Sequence, residues 1–186
     1  MKNKFIIISK ISLLLVFLVI FAGSTVRMTG SGMGCPDWPK CFGYYIPPIN
    51  KNKLLWKPNS HYNKNIMILY NGAFYNAKNE FKSTEKFEKN NWLKYTKHDY
   101  TEFNVTHTWF EYINRLLGVL LGFSVLFMFI FSFFLNSMKK VFIPLTSIIL
   151  ISIGFQAWLG KLVVDSNLAP YKISTHLLMA IIIVLL

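Results

Sequence analysis

Two cysteines, Cys35 and Cys41, bracket a Pro-Asp-Trp-Pro turn, and further along the chain His107, Glu111, Asn114, Arg115 and His176 interrupt or border apolar runs. Thiols this close together form a structural staple or a redox-active pair, and two alone do not complete a tetrahedral zinc shell. Ionisable side chains inside an apolar segment are costly, which makes them functional candidates by default. At about 100° per residue, His107, Glu111, Asn114 and Gly118 fall within roughly 60° of one another on a helix. Arg115 flanks that stripe and meets Glu111 at i,i+4, while Gly118 and Gly122 form a small-xxx-small pair that admits close backbone approach. The stripe has two explanations. It is a polar helix end with a glycine packing seam, or it is a ligand face with a histidine or carboxylate aimed over a flat cofactor.

The elements that must position these residues are membrane helices. Hydrophobic residues make up 53% of the chain and fall in blocks, the pattern of an integral membrane protein. Four spans are expected, at about 5–26, 110–135, 141–163 and 173–186. The last covers roughly 21 Å of a hydrocarbon core of about 30 Å and ends on AIIIVLL without an interfacial anchor, which reads as a chain cut within a span. The first lacks an A-x-A cleavage site and runs straight into the cysteine segment, so it is a true helix and not a signal peptide. Gly23–Pro48 carries too many Gly and Pro residues to continue as a helix or form a regular strand. Arg27 lies where hydrocarbon gives way to water.

Lys2, Lys4 and Lys10 before the first span, and Lys139 and Lys140 between the second and third, place those flanks in the cytoplasm by the positive-inside rule. Residues 27–109 then form a long extracytoplasmic loop. The net charge of +12 resides mostly in Asn50–Asp99, interleaved with Glu80, Glu85, Glu88 and Asp99. That is a solvated surface facing anionic lipid, and no nucleic-acid motif accompanies it.

His176, one turn inside the fourth span, lies at the same outer depth as Glu111, and the cysteine loop closes over that end. Heme is the natural occupant of a pocket built this way. Imidazole supplies an axial ligand, arginines such as Arg27 and Arg115 suit propionates, and apolar walls hold the macrocycle. Gln156 and Trp158, with Gly154 and Gly160, are compatible with one wall.

RMTGSGMGCPDWPKCFGYYIPP after a first span, EYINRLLG in the second, GFQAWLGKLVV in the third and THLLMA in the fourth together resemble the heme A synthase family. The resemblance covers Gly23–Pro48 and about Thr106 to the end, leaving the intervening loop unmatched. It implies an all-α integral membrane enzyme of eight transmembrane helices in two similar halves, of which this chain is the N-terminal four-helix bundle. It also implies a bacterial inner-membrane oxidoreductase that converts the C8 methyl of heme O to a formyl group by successive hydroxylations, giving heme A for terminal oxidases. Heme b is the implied cofactor, expected mainly in the C-terminal half, with heme O as substrate and heme O synthase as a partner. By the same carry-over His176 is an axial ligand of heme iron, Glu111 is the acidic residue near the reacting methyl, and Cys35 and Cys41 are the disulfide pair of the loop.

One departure stands out. The family pattern is Glu-x-x-His-Arg, and here Asn114 takes the histidine's place. Either the substrate heme has one histidine or another residue substitutes, with His107, two turns back on the same stripe, as the candidate iron ligand. Long insert Lys51–Asn104 also departs from a compact outer loop and would add a small lid. Two rival functions carry less of the sequence. A quinone-linked thiol oxidase needs a second cysteine pair to pass electrons onward. A non-catalytic heme-binding subunit of oxidase assembly predicts bound heme without conversion.

Overall fold

Hydropathy and helix capping together lay out the four helices, α1 (Lys2–Met28), α2 (Val105–Ser132), α3 (Lys139–Asp165) and α4 (Pro170–Leu185). The computed structural model describes residues 2–98, 102–135 and 138–186, so the acidic position Asp99 lies outside the described residues. Among them, α1, α2 and α3 are long and apolar enough to cross a membrane, and α4 is a shorter apolar helix. The membrane part is all-α, as expected. The chain divides into two compact units, one made of residues up to Gly32 with Ile113–Leu186, the other Met33–Tyr112.

Three helix ends differ from the sequence expectation. α1 does not stop at Gly23 but continues through Met28. Through this stretch the hydroxyls are satisfied within the helix, Ser24, Thr25 and Thr29 donating back to the carbonyls of Ile20, Phe21 and Thr25 at 2.8–3.0 Å. Termination comes at Gly30, whose φ of 68° lies in the left-handed region that ends helices. α2 begins at Val105 rather than near residue 110. Asn104 caps it, its Oδ1 accepting from the backbone N–H groups of Thr106 and His107. His107 is therefore in the first turn of the helix. α4 likewise starts earlier than expected, with Pro170 in its first turn, where a missing N–H costs nothing.

In the helical unit the packed seam joins Phe5, Leu121, Val125 and Met128. Polar pairs cross it: the hydroxyls of Ser12 and Ser124 are 2.7 Å apart, and Thr146 reaches Ser132 at 3.4 Å. Phe5 meets Phe142 edge to face at 5.0 Å. Outward residues such as Phe21, Phe123 and Ile151 stay exposed, as a lipid-facing surface requires.

The 33–112 unit holds structure that hydropathy did not announce. Strands β2 (Met67–Tyr70), β3 (Ala73–Ala77) and β5 (Trp92–Lys94) form an antiparallel sheet in the order β2-β3-β5, and β1 (His61–Tyr62) pairs with β4 (Phe81–Lys82). Asn71 and Gly72 both take positive φ and close the β2–β3 hairpin, the geometry that matches the twist of paired strands. One face of this unit is an aromatic cluster around Trp92, Tyr62 and Phe87. Another core collects Cys35, Cys41, Phe42, Leu54, Met67 and Phe74.

Candidate functional site

The cysteine segment folds around one carboxylate. Asp37 accepts from the backbone N–H of Phe42 and, at 2.7 Å, from that of Gly43, and so closes the Pro-Asp-Trp-Pro turn on itself. Phe42 and Gly43 sit at φ 56° and 80°. A side chain on Gly43 would also strike the backbone of Asn65 and Ile66. Backbone bonds between Cys41 and Tyr44 finish the loop. Within it Cys35 and Cys41 form a disulfide, with Cα atoms 4.7 Å apart and both residues at most 1% exposed.

Gly34 brings this loop onto the first turns of α2, where it packs directly against the backbone of His107 and Thr108. There the peptide joining Gly34 to Cys35 is held at both ends. Thr108 Oγ1 donates to the Gly34 carbonyl at 2.8 Å, and the Cys35 N–H donates to Glu111 Oε2 at 2.8 Å. Thr108 is completely buried and Glu111 is 4% exposed. Burying a carboxylate is costly without donors, and a backbone N–H aimed at one oxygen is part of what offsets that cost. The structure thus brings Cys35, Cys41 and Glu111 together in one unit. His107 is half-buried, and its backbone forms part of the seat for Gly34.

The other candidate residues belong to the helical unit. Arg27 is exposed in the last turn of α1, where a cation complements the helix dipole. Asn114 lies beside Gly23, whose missing side chain leaves the amide 3.7 Å from where a Cβ would sit. Arg115 follows it, half-buried. His176 is half-buried against α3. Its ring lies over Gly160, and Gln156 Nε2 donates to its backbone carbonyl at 3.0 Å. Among the described residues of this unit, three buried polar atoms lack a hydrogen-bond partner: His176 Nδ1, Asn114 Oδ1 and Gln156 Oε1. A native fold rarely leaves such groups unmet, so they fit a polar or metal-bearing ligand. Among the described residues no three His, Cys, Asp or Glu side chains cluster to hold a bare metal ion. Heme iron asks less, since its porphyrin fills four positions and a single imidazole suffices for axial ligation.

In the 33–112 unit, burial pushes the Tyr44 hydroxyl above its ordinary range, with nearby Tyr62 adding to the effect. Burial also raises Tyr62, partly offset by its hydrogen bond to the Lys57 backbone.

Gly34, Asp37 and Thr108 escaped the sequence analysis. Asp37 was legible as the acidic residue inside the bracketed turn. Thr108, three residues before Glu111, shares its helix face.

Comparison with known proteins places these features. The chain matches the cytochrome oxidase assembly protein family over residues 7–71 and 68–186. The match comes in two stretches that meet at residues 68–71, within the 51–104 segment. Heme A synthase of Orientia tsutsugamushi (strain Boryong) is 30% identical over 179 residues, which is 93% of this chain and 43% of the relative. Heme A synthase of Ehrlichia canis (strain Jake) is 27% identical over 180 residues, again 43% of its length. That of Shewanella oneidensis is 40% identical over a shorter stretch of 45 residues. The chain therefore spans less than half the length of the first two of these relatives. No solved structure matches it. The spans, the cysteine loop and these similarities together make the chain a multi-pass membrane protein belonging to the cytochrome oxidase assembly protein family.

Proposed function

We propose that this chain forms the N-terminal, heme O-binding half of an eight-helix heme A synthase in the bacterial inner membrane, its N-terminus cytoplasmic and the 27–109 loop outside. The reaction converts the C8 methyl of heme O to a formyl group. Each hydroxylation converts a C–H bond and a water molecule into C–OH, two protons and two electrons, the electrons passing to an external electron acceptor, and the geminal diol then loses water to leave the aldehyde. The observation that carries this reading is Glu111, a buried carboxylate with one oxygen fixed by the Cys35 N–H at 2.8 Å. A carboxylate held this way positions water or moves a proton at an adjacent carbon.

His176 binds the heme iron, with its ring seated on Gly160 and Nδ1 awaiting a partner. His107 is the second candidate for the iron, since an amide such as Asn114 is a poor ligand. Asn114 serves the substrate's polar edge, and Arg115 and Arg27 receive the propionates. Heme b, when bound in the other half, supplies one-electron redox chemistry. Heme O synthase is the partner that delivers substrate, and the basic outer segment meets anionic lipid. A thiol oxidase reading is weaker, because exchange needs an accessible sulfur and both cysteines are buried.

The test is HPLC of extracted hemes together with the pyridine hemochrome spectrum, from the protein expressed with a heme O synthase from its complete gene. Heme A or its hydroxylated precursor is expected. Glu111→Ala should keep heme bound while heme O or the hydroxylated intermediate accumulates, and His176→Ala should change the heme spectrum and content. Normal heme A output from Glu111→Ala would sink the role given to Glu111. Bound heme with no oxidation in the unaltered protein would replace the enzyme with a carrier.

A further inference from the structure

We infer that Thr108 is a positioning residue for Glu111, acting through the single peptide group between Gly34 and Cys35. This deepens the role proposed above for Glu111 and rests on it. A peptide group is rigid and planar, so its C=O and N–H point in fixed opposite directions. Here both ends are taken by side chains of one helix. Thr108 Oγ1 donates to the carbonyl at 2.8 Å, and Glu111 Oε2 accepts from the N–H at 2.8 Å. Residues three apart on a helix share a face, so Thr108 and Glu111 grip the peptide like two jaws. A donor on the carbonyl also polarises the peptide and strengthens its N–H as a donor.

The loop makes the gripped peptide a fixed reference. The disulfide ties Cys35 to Cys41, Asp37 closes the turn between them, and Gly34 rests on helix backbone that does not yield. With Oε2 anchored there, the carboxylate is restrained at one oxygen. The disulfide then serves geometry, and the buried sulfurs need never cycle. The plainer alternative is that Thr108 merely staples loop to helix, which predicts changes in yield and stability but none in turnover per folded molecule.

The experiment uses membranes containing the protein from its complete gene, co-expressed with a heme O synthase. Thr108→Val, nearly isosteric but without the hydroxyl, is compared with Thr108→Ser and Glu111→Gln. Turnover of heme O, its KM and heme content per protein are measured, along with amide hydrogen exchange of the peptide containing Cys35. Thr108→Val should lower turnover roughly tenfold, the effect of one lost buried hydrogen bond, with KM and heme content unchanged. Thr108→Ser should restore turnover, and the Cys35 amide should be protected in the unaltered protein and exposed in Thr108→Val. Normal turnover in Thr108→Val, or no rescue by serine, overturns the inference. So does fast exchange at Cys35 in the unaltered protein, a reading that needs no variant to fold. If Glu111→Gln makes heme A normally, the role of Glu111 itself falls. If Glu111→Gln is inactive and Thr108→Val is normal, only the positioning role falls.

Discussion

Replacing Gly34 with alanine would place a methyl carbon 2.5 Å from the carbonyl carbon of His107 and 2.7 Å from the Thr108 nitrogen. Ordinary van der Waals contact begins at 3.4 Å, so the loop must retreat by nearly 1 Å, because the opposing atoms are helix backbone. Such a shift stretches the Thr108–Gly34 and Cys35–Glu111 bonds, both 2.8 Å, beyond hydrogen-bonding range. Each leaves a buried polar group unsatisfied at about 1–3 kcal/mol, giving a total of about 2–6 kcal/mol for the 33–112 unit. The cost falls on local opening of residues 33–112 and need not melt the helices. Limited proteolysis in detergent, with amide exchange resolved by mass spectrometry, measures it directly. We expect faster cleavage within 33–112 and loss of protection at Cys35, accompanied by reduced heme A output. Gly34→Ala with unchanged protection and unchanged output would refute the seating of this loop on α2 and, with it, the anchoring of Glu111.

Three further outcomes follow from the same geometry. The buried disulfide should resist dithiothreitol in the folded protein and be reduced readily in urea, and replacing both cysteines with alanine should destabilise the 33–112 unit by about 2 kcal/mol, the loop-entropy value for so short a ring. Rapid native reduction, read by maleimide labelling, would contradict this. At Gly160 a Cβ would already lie 3.3 Å from His176 Cε1, so the γ-methyls of Gly160→Val should turn the imidazole and alter the absorption of bound heme; an unaltered spectrum would count against His176 as ligand. Tyr44 and Tyr62 are held above 10.0 in the folded unit, so near that pH the unfolded chain loses its phenolic protons first. Their contribution to stability is complete below pH 10 and is lost as pH rises beyond it, which tyrosinate absorbance alongside alkaline unfolding of the 33–112 unit should display.

Hydropathy located the helices because the bilayer imposes a one-dimensional requirement, a long apolar run with its backbone bonds satisfied internally. The ends were less legible. Gly23 and the hydroxyl residues after it look like loop, yet Ser24 and Thr25 bond back to the preceding turn and α1 runs on to Met28. Asn104 looks like the end of a polar insert and is a helix cap. The strands of the 33–112 unit were half legible: Asn71-Gly72 between MILY and AFYNA is a hairpin signal, but a lysine-rich composition obscured the aromatic residues that give the sheet its core.

The amino-acid sequence by itself determined that this is a membrane bundle, that a cysteine pair encloses a turn, and that Glu111 and His176 are costly residues needing a purpose. Those statements depend on residue type and spacing, and on the price of polarity in lipid. Only the tertiary structure decided what holds Glu111. The grip of Thr108 and Glu111 on one peptide joins residues more than seventy positions apart. It depends on an absent side chain at Gly34 and on a loop shaped by Asp37. No local pattern encodes a contact between a helix face and the two polar ends of a distant peptide bond.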